Sequence, residues 1–338
     1  MMNDPEGVVG LRSAAWHEGR DAVTSAWREL DPVFVMGMQR SGTSILAMAM
    51  HAAGLRGFAE GHLWHELVAT LDQVQDRERL PELRLEPFAL GQGRDADLAR
   101  YLALAIDRFH RHHVPDIQPE EGWPEPQRWY DKTPGSEAVV LAPRLAAMFP
   151  RAQFLFVHRD GAATVNSGMR LWPDTPDIFH VMCRDWAKTM STWLEVRGTL
   201  GERALELPQA DIARNPAESA RVVADFLGLP EQRETIAALF AGRRENSAFP
   251  ERAPGDYRLE LDWTEGQKTR FARVCGPQMK VWGYAMPFRL QPWPLRLARR
   301  ARDIGREEGA QGIAREGLRF LRWQRDRAIH RLRTGKTL

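Results

Sequence analysis

The stretch that most narrows what this chain can become is Val33–Met50, VFVMGMQRSGTSILAMAM. Val33–Met36 is a short run of β-branched, aromatic and aliphatic residues, the composition of a buried strand. Gly37 to Gly42 reads as a turn, and from Thr43 the chain changes to helix formers, Ile45 to Met50. A strand that enters a glycine-bounded loop and leaves through a helix N-terminus is an anion site in outline. The loop N–H groups converge, and the helix end carries about half a positive charge. Phosphate is the expected occupant.

Gly37-Met-Gln-Arg-Ser-Gly42-Thr43-Ser44 has the spacing of a Walker A loop without its lysine. The cation sits inside the loop instead, as Arg40. In triphosphate-binding loops that lysine reaches the β- and γ-phosphates while the following hydroxyl holds Mg²⁺. Arg40 with two hydroxyls at the helix start suits a smaller anion that needs no metal. A Gly/Ser turn ahead of a core helix would share this outline, so the reading needs a second cluster.

That cluster is Phe149–Ser167, FPRAQFLFVHRDGAATVNS. A buried strand, Gln153–His158, ends in Arg159-Asp160-Gly161 and feeds a helix. Ser167, eight residues after Arg159, lies about two turns along. A guanidinium fork and a hydroxyl thus meet at the C-terminal edge of a parallel sheet, where open α/β sheets bind ligands. Arginine suits bidentate capture of phosphate. A third cation, Lys132, follows a short strand edge in Trp129-Tyr-Asp-Lys-Thr-Pro134.

Strand–loop–helix and helix–strand–loop–helix patterns imply parallel strands with crossover helices. The expected fold is α/β, a P-loop-like parallel sheet flanked by helices, with a basic helical C-terminal extension. Expected helices are Val9–Leu30, a segment after Gly54, Asp95–His113 (Leu98, Leu102, Ala105, Ile106 and Phe109 inward), Ser136–Met148, Asp177–Leu200, Pro216–Leu227 and Gln267–Tyr284. A third strand is expected at Ala204–Leu207, and an acidic, proline-rich surface loop at Val114–Gln127. The divisions are 1–30 as a helical lead-in, 31–288 as the main domain and 289–338 as a basic tail. From Arg296 onward 13 Lys and Arg face 5 Asp and Glu, so +8 lies in the tail and −6 in the rest of a chain whose total is +2. Two cysteines, Cys183 and Cys275, supply neither a disulfide framework nor a zinc set. With no signal-like or membrane-spanning run, the expected location is cytoplasmic, or peripheral to a membrane through the tail.

QRSGTS resembles the 5′-phosphosulfate loop of sulfotransferases that use 3′-phosphoadenosine 5′-phosphosulfate (PAPS). It is most similar to the branch with Arg-Ser-Gly-Thr-Thr, which includes the tyrosylprotein sulfotransferases. FPRAQFLFVHRDGAATVNS resembles that branch throughout. Asp131-Lys-Thr-Pro134, the segment ending Asp225-Phe-Leu-Gly228 and the closing Val281-Trp-Gly-Tyr284 are similar to the family as well, so the likeness runs from about Val33 to Tyr284. The family's usual Tyr-Glu-Asp/Gln-Leu is replaced by Gln209-Ala210-Asp211-Ile212.

The resemblance implies that Arg40, Ser41, Gly42, Thr43 and Ser44 cradle the 5′-phosphosulfate and that Arg159 with Ser167 holds the 3′-phosphate. It implies Lys132 and Arg40 at the departing phosphate, and Glu60 as the group that takes the acceptor proton, with His62 and His65 as alternatives. Arg243, Arg244 and Ser247 are candidates in the loop that closes over the nucleotide. No metal is expected. The implied activity is sulfuryl transfer to a hydroxyl whose owner (carbohydrate, lipid, small metabolite or peptide) stays open. Rival readings are a degenerate P-loop kinase and a non-catalytic nucleotide-binding or membrane-docking module. No nucleic-acid motif occurs. The tail's Arg-rich helices suit either an anionic membrane or a neighbouring subunit.

Overall fold

β1, Val33–Gly37, is buried at all five positions, as an apolar run without alternation requires. In this computed structural model, which describes residues 22–58, 94–112, 128–242, 259–290 and isolated tail positions, β1 is the central strand. It pairs in parallel with β3 (Trp129–Lys132) and β4 (Gln153–His158). β2 (Arg56–Phe58) lies outside β3, and β5 (Ala204–Pro208) outside β4, giving the order β2-β3-β1-β4-β5, all parallel. Parallel strands must be covered on both faces, and here they are.

One face carries Val33, Val35, Tyr130, Leu155, Val157 and Leu207. It packs against α1 (Thr43–Ala52) and a second helical layer drawn from 209–242. The other face carries the next residue of each strand. Phe34 lies 5.3 Å from Phe154, 5.8 Å from Trp129 and 5.9 Å from Phe149, ring to ring. α2 (Arg94–His112), α3 (Ser136–Val140) and α4 (Ala142–Met148) precede β4, and α5 (Gly161–Leu171) follows it. α6 (Ile178–Leu200) then buries Phe179, Met182, Cys183, Trp186, Thr189, Met190 and Trp193, at the spacing of one helical stripe. Trp193 stacks on Phe156 at 4.3 Å. Truncating an aromatic in such a layer to alanine costs about 3–5 kcal/mol. α7 (Gln209–Arg214), α8 (Pro216–Leu227) and α9 (Arg233–Gly242) complete the first face, α8 through Val223, Ala224 and Leu227, and α9 through Ile236 and Phe240. α10 (Glu265–Val274) and α11 (Gly276–Val281) follow.

Several expectations are corrected. Ser136–Met148 is not one helix: it breaks at Leu141, and Pro143 sits in the first turn of α4. Gln267–Tyr284 likewise breaks at Cys275, with Pro277 opening α11. Proline can start a helix but lacks the N–H to continue one. The segment after Gly54 opens with a short strand, β2; the helix expected beyond it, towards Asp72, lies outside the described residues. Trp129–Lys132 is an interior strand, not an edge. The buried stripe of α2 is also rotated: Ala103, Ile106, Asp107 and His110 face inward, while Phe109 is 40% exposed. The cause is Trp129, whose indole N–H donates to Asp107 at 2.8 Å and whose ring stacks on His110 at 4.0 Å. Of the lead-in helix, 22–28 is helical and Glu29–Leu30 lie beyond its end; its part before 22, the 114–127 loop and most of the tail lie outside the described residues.

The chain divides into two compact units. The first, 1–261 with 271–285, holds the sheet; the second is 262–270 with 286–338, in which Trp263 packs against Phe288 at 6.0 Å. No helix among the described residues is long and apolar enough to cross a membrane.

Candidate active site

The strand order creates a crevice. After β1 the chain crosses to β2 and β3 on one side, and it later adds β4 and β5 on the other. The helix following β1 covers one face of the sheet, and α5 and α6 cover the opposite face. The loops leaving β1 and β4 therefore diverge, and ligands of open α/β sheets bind where that happens.

Backbone geometry shapes the β1 loop. Gly37 has φ 147°, and a Cβ there would lie 2.3 Å from the Val157 carbonyl oxygen. Only glycine lets β1 leave the sheet so close to β4. Gly42, at φ 107°, opens α1 with no side-chain cap, and its open face lies against Gln209 at the start of α7. Arg40 is left-handed at φ 70°, which costs a non-glycine residue about 1–2 kcal/mol. Strain of this kind gathers at functional sites.

Ser41 is fully buried, and its hydroxyl is turned into the fold. It lies 2.5 Å from the Met38 carbonyl and 3.1 Å from that of Val157. Its backbone N–H also donates to Met38. Ser41 thus staples the turn rather than offering its hydroxyl to the crevice. Thr43 and Ser44 begin α1, where the uncapped N–H groups and the helix dipole favour an anion.

The second cluster arrives at the same place. Arg159 follows the last residue of β4, and its Nη1 donates to the Arg40 carbonyl at 3.3 Å. Arg40 Nε donates to the Ser167 hydroxyl, on α5, at 3.2 Å. Residues 119 and 127 positions apart in sequence are thereby in contact. Burial pushes the Arg40 guanidinium below its ordinary pKa, which leaves an arginine cationic at neutral pH. Unlike α1, α5 is capped: the Asp160 carboxylate accepts from the Ala163 N–H at 2.8 Å. Burial pushes the Asp160 pKa up, against the pull of the Ala163 and Ala162 N–H groups and of Arg159.

Lys132 ends β3 and is 3% exposed. It pairs in register with Val35 of β1, which places it on the α1 face. The Gly135 N–H donates to the Gly37 carbonyl at 2.8 Å, tying the loop after β3 to the loop after β1. Three strand ends therefore contribute a cation each: Arg40, Lys132 and Arg159. Glu60, His62, His65, Arg243, Arg244 and Ser247 lie outside the described residues. Among the described residues no cluster of His, Cys, Asp and Glu is arranged to hold a metal ion.

Some contacts at this edge carry no sequence motif. His158 Nδ1 lies 2.7 Å from the Tyr284 hydroxyl, and burial lowers the His158 pKa to about 4 against the opposing charges of Glu206 and Asp211. The same burial pushes the Tyr284 phenol up. Trp186 Nε1 donates to the Arg159 carbonyl at 3.1 Å, and Asn166 Nδ2 to the Glu260 carbonyl at 3.1 Å. In the sequence His158 stands next to Arg159 and Tyr284 in the closing Val281-Trp-Gly-Tyr284 segment, but nothing local links the two.

The fold is α/β, a five-stranded parallel sheet flanked by helices, with an uncapped, glycine-bounded loop at its switch point and a second arginine cluster beside it. The profile of the sulfotransferase family matches residues 32–233, more than half of the chain and all of the elements just described up to α9. The chain belongs to the sulfotransferase family, whose members are PAPS-dependent transferases. No curated protein sequence matches it. Among solved structures it is similar to the sulfotransferase domain of the Synechococcus PCC 7002 olefin synthase (18% identity, 76% of this chain and 96% of that one, TM-score 0.44). It is also similar to sulfotransferase STF9 from Mycobacterium avium (16%, 82% and 82%, 0.43) and to mouse sulfotransferase SULT7A1 complexed with PAP (13%, 77% and 90%, 0.41).

Proposed function

We propose that this protein transfers a sulfuryl group from PAPS to a hydroxyl of an acceptor, with the nucleotide held across the β1–β4 crevice. The observation that carries the reading is the meeting of Arg40, Arg159 and Ser167, three groups suited to phosphate, from two loops remote in sequence. The donor set fits a nucleotide with phosphate at both ends of its ribose. The uncapped start of α1, with the Gly42 to Ser44 backbone and the hydroxyls of Thr43 and Ser44, receives the 5′ end. Arg159 and Ser167 receive the 3′-phosphate, where a guanidinium fork and a hydroxyl supply directional donors. Gly37 and Gly42 let the loop turn where side chains would strike Val157 and Gln209, which brings the loop backbone to the crevice.

When bound, PAPS supplies an activated sulfuryl group on a phosphate leaving group. Arg40 and Lys132 stabilise the negative charge that develops on that phosphate. Such preorganised cations act where charge grows and need no reorganisation. Glu60 accepts the acceptor proton, and displacement at sulfur is in line. The cations of the chain meet the charge demand without a metal ion. Within the family, the Arg40-Ser-Gly-Thr loop and the Phe149–Ser167 segment favour the branch that includes the tyrosylprotein sulfotransferases. The acceptor class is sought by incubating the protein with labelled PAPS and a cell extract, then identifying labelled products by mass. Label transfer to any hydroxyl compound supports the reading; uptake of label from γ-labelled ATP instead would replace it with the kinase reading.

A further inference from the structure

β4 is held from behind as well as from the crevice side. Strand residues alternate faces, so Phe154, Phe156 and His158 share the face covered by α6, and His158 stacks over Phe156 at 6.2 Å. Arg159 comes next and reaches the other way, to the Arg40 carbonyl. Two distant segments close on the strand end from the α6 face. From α6, the Trp186 indole donates to the Arg159 carbonyl at 3.1 Å. From the segment after α11, the Tyr284 hydroxyl meets His158 Nδ1 at 2.7 Å, and Trp282 flanks the imidazole at 4.5 Å. The two segments are themselves joined, because the Cys275 thiol donates to the Cys183 carbonyl at 3.3 Å. The space between them is full: a Cβ on Gly161 would lie 3.0 Å from Trp186 Cε2 and 3.1 Å from Met279 Sδ. His158 is 7% exposed and neutral at physiological pH, so it adds no charge beside Arg159.

We propose that Tyr284, through His158, together with Trp186, is a positioning clamp that fixes the backbone at Arg159 and thereby sets the preference for a 3′-phosphorylated nucleotide. The proposal rests on the reading of Arg159 as the 3′-phosphate ligand. Tyr284 lies outside the residues that match the family profile, and its hydroxyl meets the strand end at His158. A bidentate guanidinium contact tolerates little angular error. Loosening the strand end therefore weakens the grip on the 3′-phosphate and spares the 5′ end, which is held by α1.

The experiment measures affinities for adenosine 3′,5′-bisphosphate and adenosine 5′-monophosphate by calorimetry, in the intact chain and three variants. Tyr284→Phe removes one hydroxyl and keeps the ring. It is expected to lower the bisphosphate preference about fivefold, the scale of one neutral hydrogen bond, with monophosphate affinity unchanged. Trp186→Phe, which removes the indole N–H, gives an independent reading of the same ratio and is expected to lower it too. Arg159→Ala is expected to erase the preference. If Arg159→Ala erases it while both clamp variants keep the wild-type ratio, the clamp is refuted and the 3′-phosphate assignment stands. An equal loss for both nucleotides in the clamp variants also refutes it, since that is what general loosening of the fold would give. If Arg159→Ala leaves the ratio intact, the assignment fails and takes the clamp with it.

Discussion

Replacing Arg40 with glycine and with alanine separates what its backbone costs from what its side chain does. Both substitutions delete the guanidinium, so both lose the 3.2 Å bond to Ser167 and the cation of the loop. They differ in the backbone. At φ 70° alanine keeps the left-handed penalty of about 1–2 kcal/mol, whereas glycine has none and gives back part of the gain through its freer unfolded chain. The glycine variant should therefore be more stable than the alanine variant by about 1 kcal/mol. Relative to wild type, loss of a half-buried hydrogen bond costs about 1 kcal/mol. Release of strain and of a desolvated charge offsets it, so Arg40→Gly should unfold close to the wild-type urea midpoint. Binding should not be spared. A charge-assisted contact contributes about 1.5–3 kcal/mol, which is roughly tenfold to a hundredfold in affinity for adenosine 3′,5′-bisphosphate, measured by calorimetry. Alanine equal to or better than glycine in stability would refute the strain account. Wild-type affinity in either variant would remove Arg40 from the site.

Four further outcomes follow from the same geometry. Gly37→Ala, whose Cβ would meet the Val157 oxygen at 2.3 Å, should destabilise the fold by about 2–3 kcal/mol in urea; a neutral change would mean β1 and β4 part easily at this edge. Lys132→Met should lower single-turnover transfer about a hundredfold with bisphosphate affinity nearly kept, whereas an equal loss of both would make Lys132 a binding group only. Glu60→Gln should cut turnover and spare nucleotide affinity, and a fully active variant would move the base to His62 or elsewhere. His158 has a folded pKa of about 4 against 6.5 unfolded, so the unfolded chain binds the extra proton first. Stability present above pH 6.5 should fall by roughly 3 kcal/mol as the pH drops to 4, and His158→Asn should lose that share of the slope.

The sequence made β1, its loop and β4 legible because each is a short apolar run closed by glycine or by a charged pair. The α6 stripe is equally plain, since Phe179, Trp186 and Trp193 recur at helical spacing. β2 escaped because it has three residues and a central Gly57. There a Cβ would lie 2.3 Å from the Tyr130 carbonyl, so the glycine that imitates a turn is required by strand packing. The α2 face was misjudged because hydrophobicity placed Phe109 inward, while the Trp129 indole required Asp107. At the site, the candidate phosphate ligands stand in motifs, but Tyr284 is 126 positions from His158, and no local pattern signals a contact between them. Ser41 sits in the motif as well, and its hydroxyl closes the turn.

In the proposed reading one crevice grips both phosphate ends of a single nucleotide, through Arg40 and the start of α1 on one side and Arg159 with Ser167 on the other. The most direct measurement is calorimetry of the whole chain with adenosine 3′,5′-bisphosphate in chelator, set beside adenosine 5′-monophosphate and magnesium ATP. Strong binding of the bisphosphate, much weaker binding of the monophosphate and no heat from magnesium ATP is the predicted result. Binding of magnesium ATP with no response to the bisphosphate would contradict it.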